Sequence, residues 1–324
     1  MVSLKKNKLK TKKKKLLKPL ILDKIITDEK IASKEGDYFT KKDFKHIITK
    51  DCDVYCIKNN EKVLLARFRK NVIPQNLSKI ALEELEETAK KKHDNRGAAG
   101  GALDLDKLPK YVNKNSMYKR SKYVIRGYES LKTGKMVEQI IGNQVSSNII
   151  GYYDKPDRNL GKDAPPCRLT QFNKNNMEKF KKVVPFLNAI NKQFRLLIPK
   201  RYRKQRKRAN KTNFVIDKTA FSTVTVNHNW RTALHKDSGD YKDGFGNLVV
   251  CTKGEYLGGY TGFPQYGVAF DVRQGDFLAM DVHEWHCNTE MKGKGNKEFS
   301  RMSVVCYLRE KMLRCEGLEI EEEV

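Results

Sequence analysis

Thr232-Ala233-Leu234-His235-Lys236-Asp237-Ser238-Gly239-Asp240, followed at a distance by His286 and by Arg301-x-Ser303, decides how this chain is read. His-x-Asp with one remote His is the donor set of a 2-His-1-carboxylate facial triad, which holds Fe(II) on one face and leaves the other positions open for a co-substrate and O₂. His235, Asp237 and His286 are the candidate ligands. Arg301, fifteen residues beyond His286, suits the far carboxylate of 2-oxoglutarate, because a planar guanidinium grips a carboxylate through two parallel hydrogen bonds.

His-x-Asp alone arises by chance, so its surroundings carry the weight. Period-two alternation on a strand ending near His235 sets Asn227, Asn229, Arg231, Ala233 and His235 on one face, with Lys236 turned away and Asp237 returning toward the metal. Asn227, Asn229 and Arg231 are then polar candidates for a substrate pocket. Gly275 to His286 reads as a turn, a buried strand and a ligand at its end. His283 and His286 fall on opposite sides of an unbroken strand, so only one reaches the metal; His286 has the better spacing to Arg301. Along Phe299 to Leu308 the same alternation sends Arg301, Ser303, Val305 and Tyr307 to one face, where Arg301 and the Ser303 hydroxyl can meet one carboxylate.

From Arg96 to Cys315 the chain resembles the TET/JBP family of iron- and 2-oxoglutarate-dependent nucleic-acid oxygenases, in the branch found in algae and large DNA viruses. The stretches that carry the likeness include Arg96-Gly97-Ala98-Ala99-Gly100-Gly101, Asn148 to Asp154, Cys167 to Thr170, Asn227 to Val250, Gly258 to Pro264, Asp281 to Asn288, and Arg301-Met302-Ser303. The resemblance implies His235, Asp237 and His286 as iron ligands and Arg301 as the co-substrate anchor. It also implies hydroxylation of the 5-methyl group of a pyrimidine, 5-methylcytosine or thymine. The implied fold is α+β, a double-stranded β-helix (jelly-roll) oxygenase core with flanking helices.

The pattern agrees independently. Short alternating runs (Ala220 to Val226, Gly246 to Cys251, Gly267 to Val272, Phe277 to Val282, Met302 to Leu308) are separated by Gly-, Asp- and Lys-rich turns. Phe180, Val183, Leu187, Ile190, Phe194 and Leu197 recur at three- and four-residue steps and form the apolar stripe of a helix that packs on a sheet. Pro185 near its start predicts a bend or a late first turn. Earlier, Val54 to Ile57 and Val63 to Phe68 read as strands and Ser78 to Lys92 as a helix. Arg96 to Gly101 lacks the Lys-Ser/Thr of a phosphate loop and reads as a close-approach loop over the site.

With 66 Lys and Arg against 39 Asp and Glu, the chain carries a formal charge of +27, which points to an anionic polymer, DNA, as partner. Residues 1–20 hold nine lysines and no acid; they read as a disordered basic tail, either a solvated arm or a nuclear-localisation or nucleic-acid tether. The second cluster, Lys200, Arg201, Arg203, Lys204, Arg206, Lys207 and Arg208 around Tyr202, follows the apolar stripe and is expected to continue its helix. A basic ridge there can lie along a phosphate backbone. Tyr152, Tyr153, Tyr260 and Phe263 are candidates to stack on an extruded base.

The expected layout is a tail over 1–20, an N-terminal elaboration over 21–95, the oxygenase domain over 96–315 and an acidic tail over 316–324. Seven cysteines without paired spacing read as reduced thiols, Cys52 and Cys56 as buried ones, in a nuclear or cytoplasmic protein (a viral factory if viral) that is not secreted and does not span a membrane. Asp240 is an acid beside the metal turn without an assigned task; it either orients a ligand, shifts co-substrate choice from 2-oxoglutarate to ascorbate, or caps the turn. Other readings are an oxygenase of RNA or protein, and a catalytically inactive basic nucleic-acid-binding protein.

Overall fold

The computed structural model describes residues 18–118, 120–154 and 166–320; most of the basic tail, and Glu321, Glu322 and Glu323 of the acidic one, lie outside them. Strands of alternating burial make a ten-stranded sheet in the order Leu20–Leu22, Cys52–Lys58, Glu61–Arg69, Phe277–Met280, Gly246–Lys253, Ser300–Tyr307, Thr223–His228, Val145–Asp154, Cys167–Leu169, with Lys92–His93 also paired to Val145–Asp154. All neighbours are antiparallel except the first pair. A second sheet orders Cys287–Asn288, Thr261–Phe263, Val268–Phe270 and His46–Ile48. The two sheets enclose one apolar layer, and the fold is an α+β double-stranded β-helix.

Period two explains the layering. Leu248, Val250, Leu278 and Met280 face the second sheet and pack with Phe263, Val268 and Phe270. Their neighbours Val249, Cys251, Phe277 and Ala279, with Met302, Val304 and Cys306, face the opposite side and are covered by helices. Helix Gln75–Ala89 buries Ala81, Leu82, Leu85 and Ala89, one stripe at helical spacing, and helix Met177–Leu197 buries Phe180, Val183, Leu187, Ile190 and Phe194. Phe194 stacks on Phe221 with ring centroids 6.1 Å apart. Helix Gln75–Ala89 begins and ends three residues earlier than expected, immediately after Pro74, a position that spares a backbone N–H the helix cannot use.

Two expectations are overturned. The basic cluster does not continue the long helix: Ile198 leaves helical geometry (φ −125°, ψ 55°) and Pro199 opens a separate helix, Pro199–Ala209. Proline there breaks the ladder but suits a first turn. The cysteines are not all thiols, because strand Cys167–Leu169 lies against the turn Glu310–Cys315 and Cys167 forms a disulfide with Cys315 across 148 residues, a separation that no spacing rule reveals. Cys56 is a buried thiol as expected, whereas Cys52 is only half-buried. Helix Met177–Leu197 runs through Pro185, which sits on its exposed side. No helix among the described residues is long and apolar enough to cross a membrane.

Candidate active site

Strand Thr223–His228 stops where Asn229 adopts left-handed backbone (φ 43°), so the alternation expected to run on to His235 is broken there. The following segment is instead held by single contacts from distant parts of the chain. Ala233 N–H donates to the Ala99 carbonyl at 2.9 Å, Leu234 N–H to Asp37 at 2.8 Å, and Asp237 N–H to Val282 at 3.0 Å. His235 and His286 exchange both backbone hydrogen bonds at 3.0 Å. The turn Arg96 to Gly100 therefore sits directly behind the segment that carries His235.

This scaffold aims three side chains at one point. His235 Nδ1 lies 2.8 Å from the Ala233 carbonyl and His286 Nδ1 2.9 Å from the Glu284 carbonyl. A proton on each Nδ1 donates there and leaves Nε2 as a free lone pair. Asp237 places one carboxylate oxygen 3.6 Å from each Nε2, and all three donor atoms lie within 4.8 Å of one another. Two imidazoles and one carboxylate without a thiol suit Fe(II) and its relatives. His283 stands apart, its Nε2 facing the Tyr241 carbonyl at 3.3 Å.

Burial first, and then mutual closeness, sets the electrostatics of the three groups. Burial, then the neighbouring His286, pushes the His235 pKa down to about 4. Burial opposes the charge of Asp237, but the hydrogen bond and charge of His286 outweigh it and hold the carboxyl at about 2. Burial likewise disfavours charged His286, yet Asp237 keeps its pKa above the ordinary 6.5. Asp240 is pushed well up, first by desolvation and then by the charge of Asp237, with Arg309 opposing.

The three donors open on a cavity of about 400 Å³. One wall is the strand Ser300–Tyr307, of which Ser303, Val305 and Tyr307 face inward, and Arg309 continues the same face two residues on. Asp240 pairs by backbone with Arg309, while the Arg309 side chain is fixed by an ion pair to Asp154. Arg96 reaches in from the turn behind His235, and its Nε is buried without a hydrogen-bond partner. The loop Arg96 to Gly101 lies at the site as expected, with Arg96, Ala98 and Ala99 on the cavity, but sequence reasoning did not single out Arg96, Trp230 or Arg309 as cavity residues; Arg309 was available by extending the alternation past Leu308.

The residues expected at the site divide. Asn227 lines the cavity and donates to the Ser303 hydroxyl at 3.3 Å, while Ser147 donates to its carbonyl at 2.5 Å. Asn229 does not line it; its side chain bonds the Phe299 carbonyl and the Arg301 N–H and closes the strand end. Arg231 faces a neighbouring cleft. Arg301 is 1 % exposed and does not line the cavity: its Nε donates to the Tyr256 hydroxyl at 3.2 Å and a terminal nitrogen to the Gly259 carbonyl at 3.4 Å. Gly259, at φ 70°, lets the backbone come this close, since a Cβ there would stand 3.3 Å from Arg301 Nε. Tyr152, Tyr153, Tyr260 and Phe263 all lie outside the cavity lining; the aromatic rings on it are Trp230 and Tyr307.

The basic helix packs against Asp240's own loop. Arg201 lies over the Phe245 ring at 4.9 Å, Lys204 pairs with Asp243 at 3.2 Å, and Arg206 bonds the Thr219 carbonyl. Arg201, Arg206 and Arg208 are half-buried, so the exposed cations of the cluster are Lys200, Arg203, Lys204 and Lys207.

Comparison with known proteins agrees with this fold. Residues 148–310 match the Tet_JBP family, described as the oxygenase domain of the 2OGFeDO superfamily. Thymine dioxygenase JBP1 of Trypanosoma brucei brucei is 34% identical over 169 residues, 52% of this chain and 20% of that protein. The bifunctional helicase and thymine dioxygenase JBP2 of Leishmania braziliensis is 36% identical over 166 residues, 50% of this chain and 14% of that one. The aligned part thus spans a fifth or less of these relatives. The structure of NgTET1 in complex with 5mC DNA has the same fold, with a TM-score of 0.51 at 11% identity over 92% of this chain and 84% of that one. The chain has a double-stranded β-helix fold and belongs to the Tet_JBP family, the oxygenase domain of the 2OGFeDO superfamily.

Proposed function

We propose that the chain is an Fe(II)- and 2-oxoglutarate-dependent dioxygenase that hydroxylates the 5-methyl group of a pyrimidine, thymine or 5-methylcytosine, in DNA. The observation that carries this reading is the convergence of His235, Asp237 and His286 at one end of a cavity whose remaining wall offers an aromatic face, Tyr307, and a cation, Arg309. The family match and the thymine dioxygenases among its relatives support it. Fe(II) on the three donors supplies O₂ activation coupled to decarboxylation of 2-oxoglutarate, one oxygen atom entering succinate and the other the methyl carbon.

The protein's own residues supply position. The carbonyls of Ala233 and Glu284 hold the two imidazoles with Nε2 toward the metal. Ser303 and Asn227 receive the carboxylate end of 2-oxoglutarate, with the buried charge of Arg301 behind them. A pyrimidine must leave its stack to reach the metal; Tyr307 offers it a face, while Arg309 and Asp240 offer hydrogen-bonding groups to its edge. The exposed cations Lys200, Arg203, Lys204 and Lys207 hold the phosphate backbone beside the mouth. Such a protein works where DNA is accessible, in the nucleus or in a DNA-holding cytoplasmic compartment. Nucleoside mass spectrometry after incubation of methylated and unmethylated DNA with the protein, Fe(II) and either 2-oxoglutarate or ascorbate tests base and co-substrate together.

A further inference from the structure

The two imidazoles of the site are fastened differently. His235 Nδ1 meets the carbonyl of Ala233, which has only a methyl group and is held through its own N–H to the Ala99 carbonyl. His286 Nδ1 meets the carbonyl of Glu284, whose carboxylate is itself clamped: Tyr266 donates its hydroxyl to one oxygen at 2.6 Å, and the Lys58 ammonium lies 2.7 Å from the other. Lys58 also stands 3.7 Å from Asp281, whose carboxylate accepts the His283 N–H at 3.2 Å. One ammonium thus ties both acids of the turn Asp281 to Glu284, which joins strand Phe277–Met280 to the ligand.

Burial sets this group apart from a surface ion pair. The Asp281 and Glu284 side chains are 7% and 13% exposed and Tyr266 is 1% exposed, so each carboxylate depends on its partners. The position of Lys58 is fixed locally. It ends strand Cys52–Lys58, and Asn59 and Asn60, both in left-handed backbone (φ 47° and 62°), turn the chain back into strand Glu61–Arg69. Lys58 belongs to the N-terminal elaboration and lies outside the 148–310 family match. We infer that Lys58, together with Tyr266, is a positioning residue for the metal centre: by clamping Glu284 it fixes the carbonyl that orients His286. This rests on the proposed use of His235, Asp237 and His286 as metal ligands.

The test is cobalt(II) titration of the full chain and of Lys58→Met, Lys58→Arg and Tyr266→Phe, with Lys70→Met as a matched control. Lys70 pairs at 2.8 Å with Asp276, a fully buried acid at the other end of strand Phe277–Met280, so its loss strains the same sheet without touching the turn before His286. Lys58→Met should bind cobalt about tenfold more weakly, the lower end of the cost of disturbing a ligand's hydrogen-bond partner. The sign is diagnostic, because removing a cation and leaving Asp281 and Glu284 unpaired would by charge alone strengthen the binding of a metal ion. Lys58→Arg, which can restore the pair, should bind as the wild type does. Tyr266→Phe should weaken binding several-fold, and it carries the test if Lys58→Met does not fold. Lys70→Met should leave the affinity unchanged. Wild-type affinity in Lys58→Met or, where that chain does not fold, in Tyr266→Phe overturns the inference, as does an equal loss in Lys70→Met. If the wild-type protein binds no cobalt, or His286→Ala binds it equally well, the assignment of the ligands fails and the positioning role with it.

Discussion

His235 and His286, fifty-one residues apart, exchange both backbone hydrogen bonds at 3.0 Å and stand with ring centroids 4.3 Å apart. The pair is a two-residue clasp between the segment after one strand and the segment after another, and Asp237 closes the triangle. Because the backbone makes the clasp, either ring can be removed without undoing the fold. His235→Ala should therefore lose metal binding and all metal-dependent oxidation while unfolding within about 1 kcal/mol of wild type, near the bottom of the range for ordinary substitutions. His283→Ala should keep both. Cobalt(II) titration and thermal unfolding check this; a His283 variant that loses metal while His286→Ala keeps it would reverse the choice of ligand.

Metal binding must also follow pH with a particular slope. In the metal-free site His235, at about 4, is already neutral near pH 6, whereas His286 is held above 6.5 by Asp237 and must give up its proton to become a ligand. As pH falls below the raised His286 value, log affinity should drop by about one unit per pH unit, one proton per metal, and steepen only on approaching pH 4. Cobalt(II) binding by absorbance across this range measures it. A slope of two protons beginning near pH 6.5 would mean both rings are ordinary histidines.

Three arginines contend for anions at the site, and they separate kinetically. Arg301→Lys keeps a charge behind Ser303 and Asn227 but loses the fork that fixes it to Tyr256 and Gly259, so the KM for 2-oxoglutarate should rise several-fold. Arg309→Lys, on the cavity wall beside Tyr307, should raise the KM for DNA and leave that for 2-oxoglutarate unchanged. An Arg96→Lys variant with the phenotype expected of Arg301 would move the co-substrate anchor to the turn behind His235.

Neutralising Arg203, Lys204 and Lys207 on helix Pro199–Ala209 should weaken binding to every DNA sequence alike and flatten its salt dependence by up to about 0.9 per lost phosphate contact. Iron-dependent turnover of 2-oxoglutarate should survive. An unchanged salt slope removes this helix from the interface.

The legible part of this molecule was whatever depends on short-range periodicity. Alternation along Ser300–Tyr307 does separate Ser303, Val305 and Tyr307 from Met302, Val304 and Cys306, which face the helices. The apolar stripe from Phe180 to Phe194 is buried as a helix face should be. Alternation failed where backbone left its register: Asn229 takes the left-handed region that asparagine enters more readily than most residues, and Ile198-Pro199 interrupts a helix that charge and apolar spacing had joined. Long-range placement was invisible. The Arg96 to Gly101 loop was read as lying over the site, but nothing local says that its arginine enters the cavity, that Trp230 divides it from a second cleft, or that Cys167 meets Cys315, because each contact joins segments far apart in the chain.

The most direct measurement is nucleoside mass spectrometry of DNA treated with the protein, Fe(II), O₂ and 2-oxoglutarate, with succinate quantified in the same reaction. The account predicts a hydroxymethylpyrimidine, formed from thymine or 5-methylcytosine and accompanied by at least an equal amount of succinate, absent with Asp237→Ala. Succinate formed without any oxidised base in DNA, while RNA or peptide substrates are hydroxylated, would contradict it.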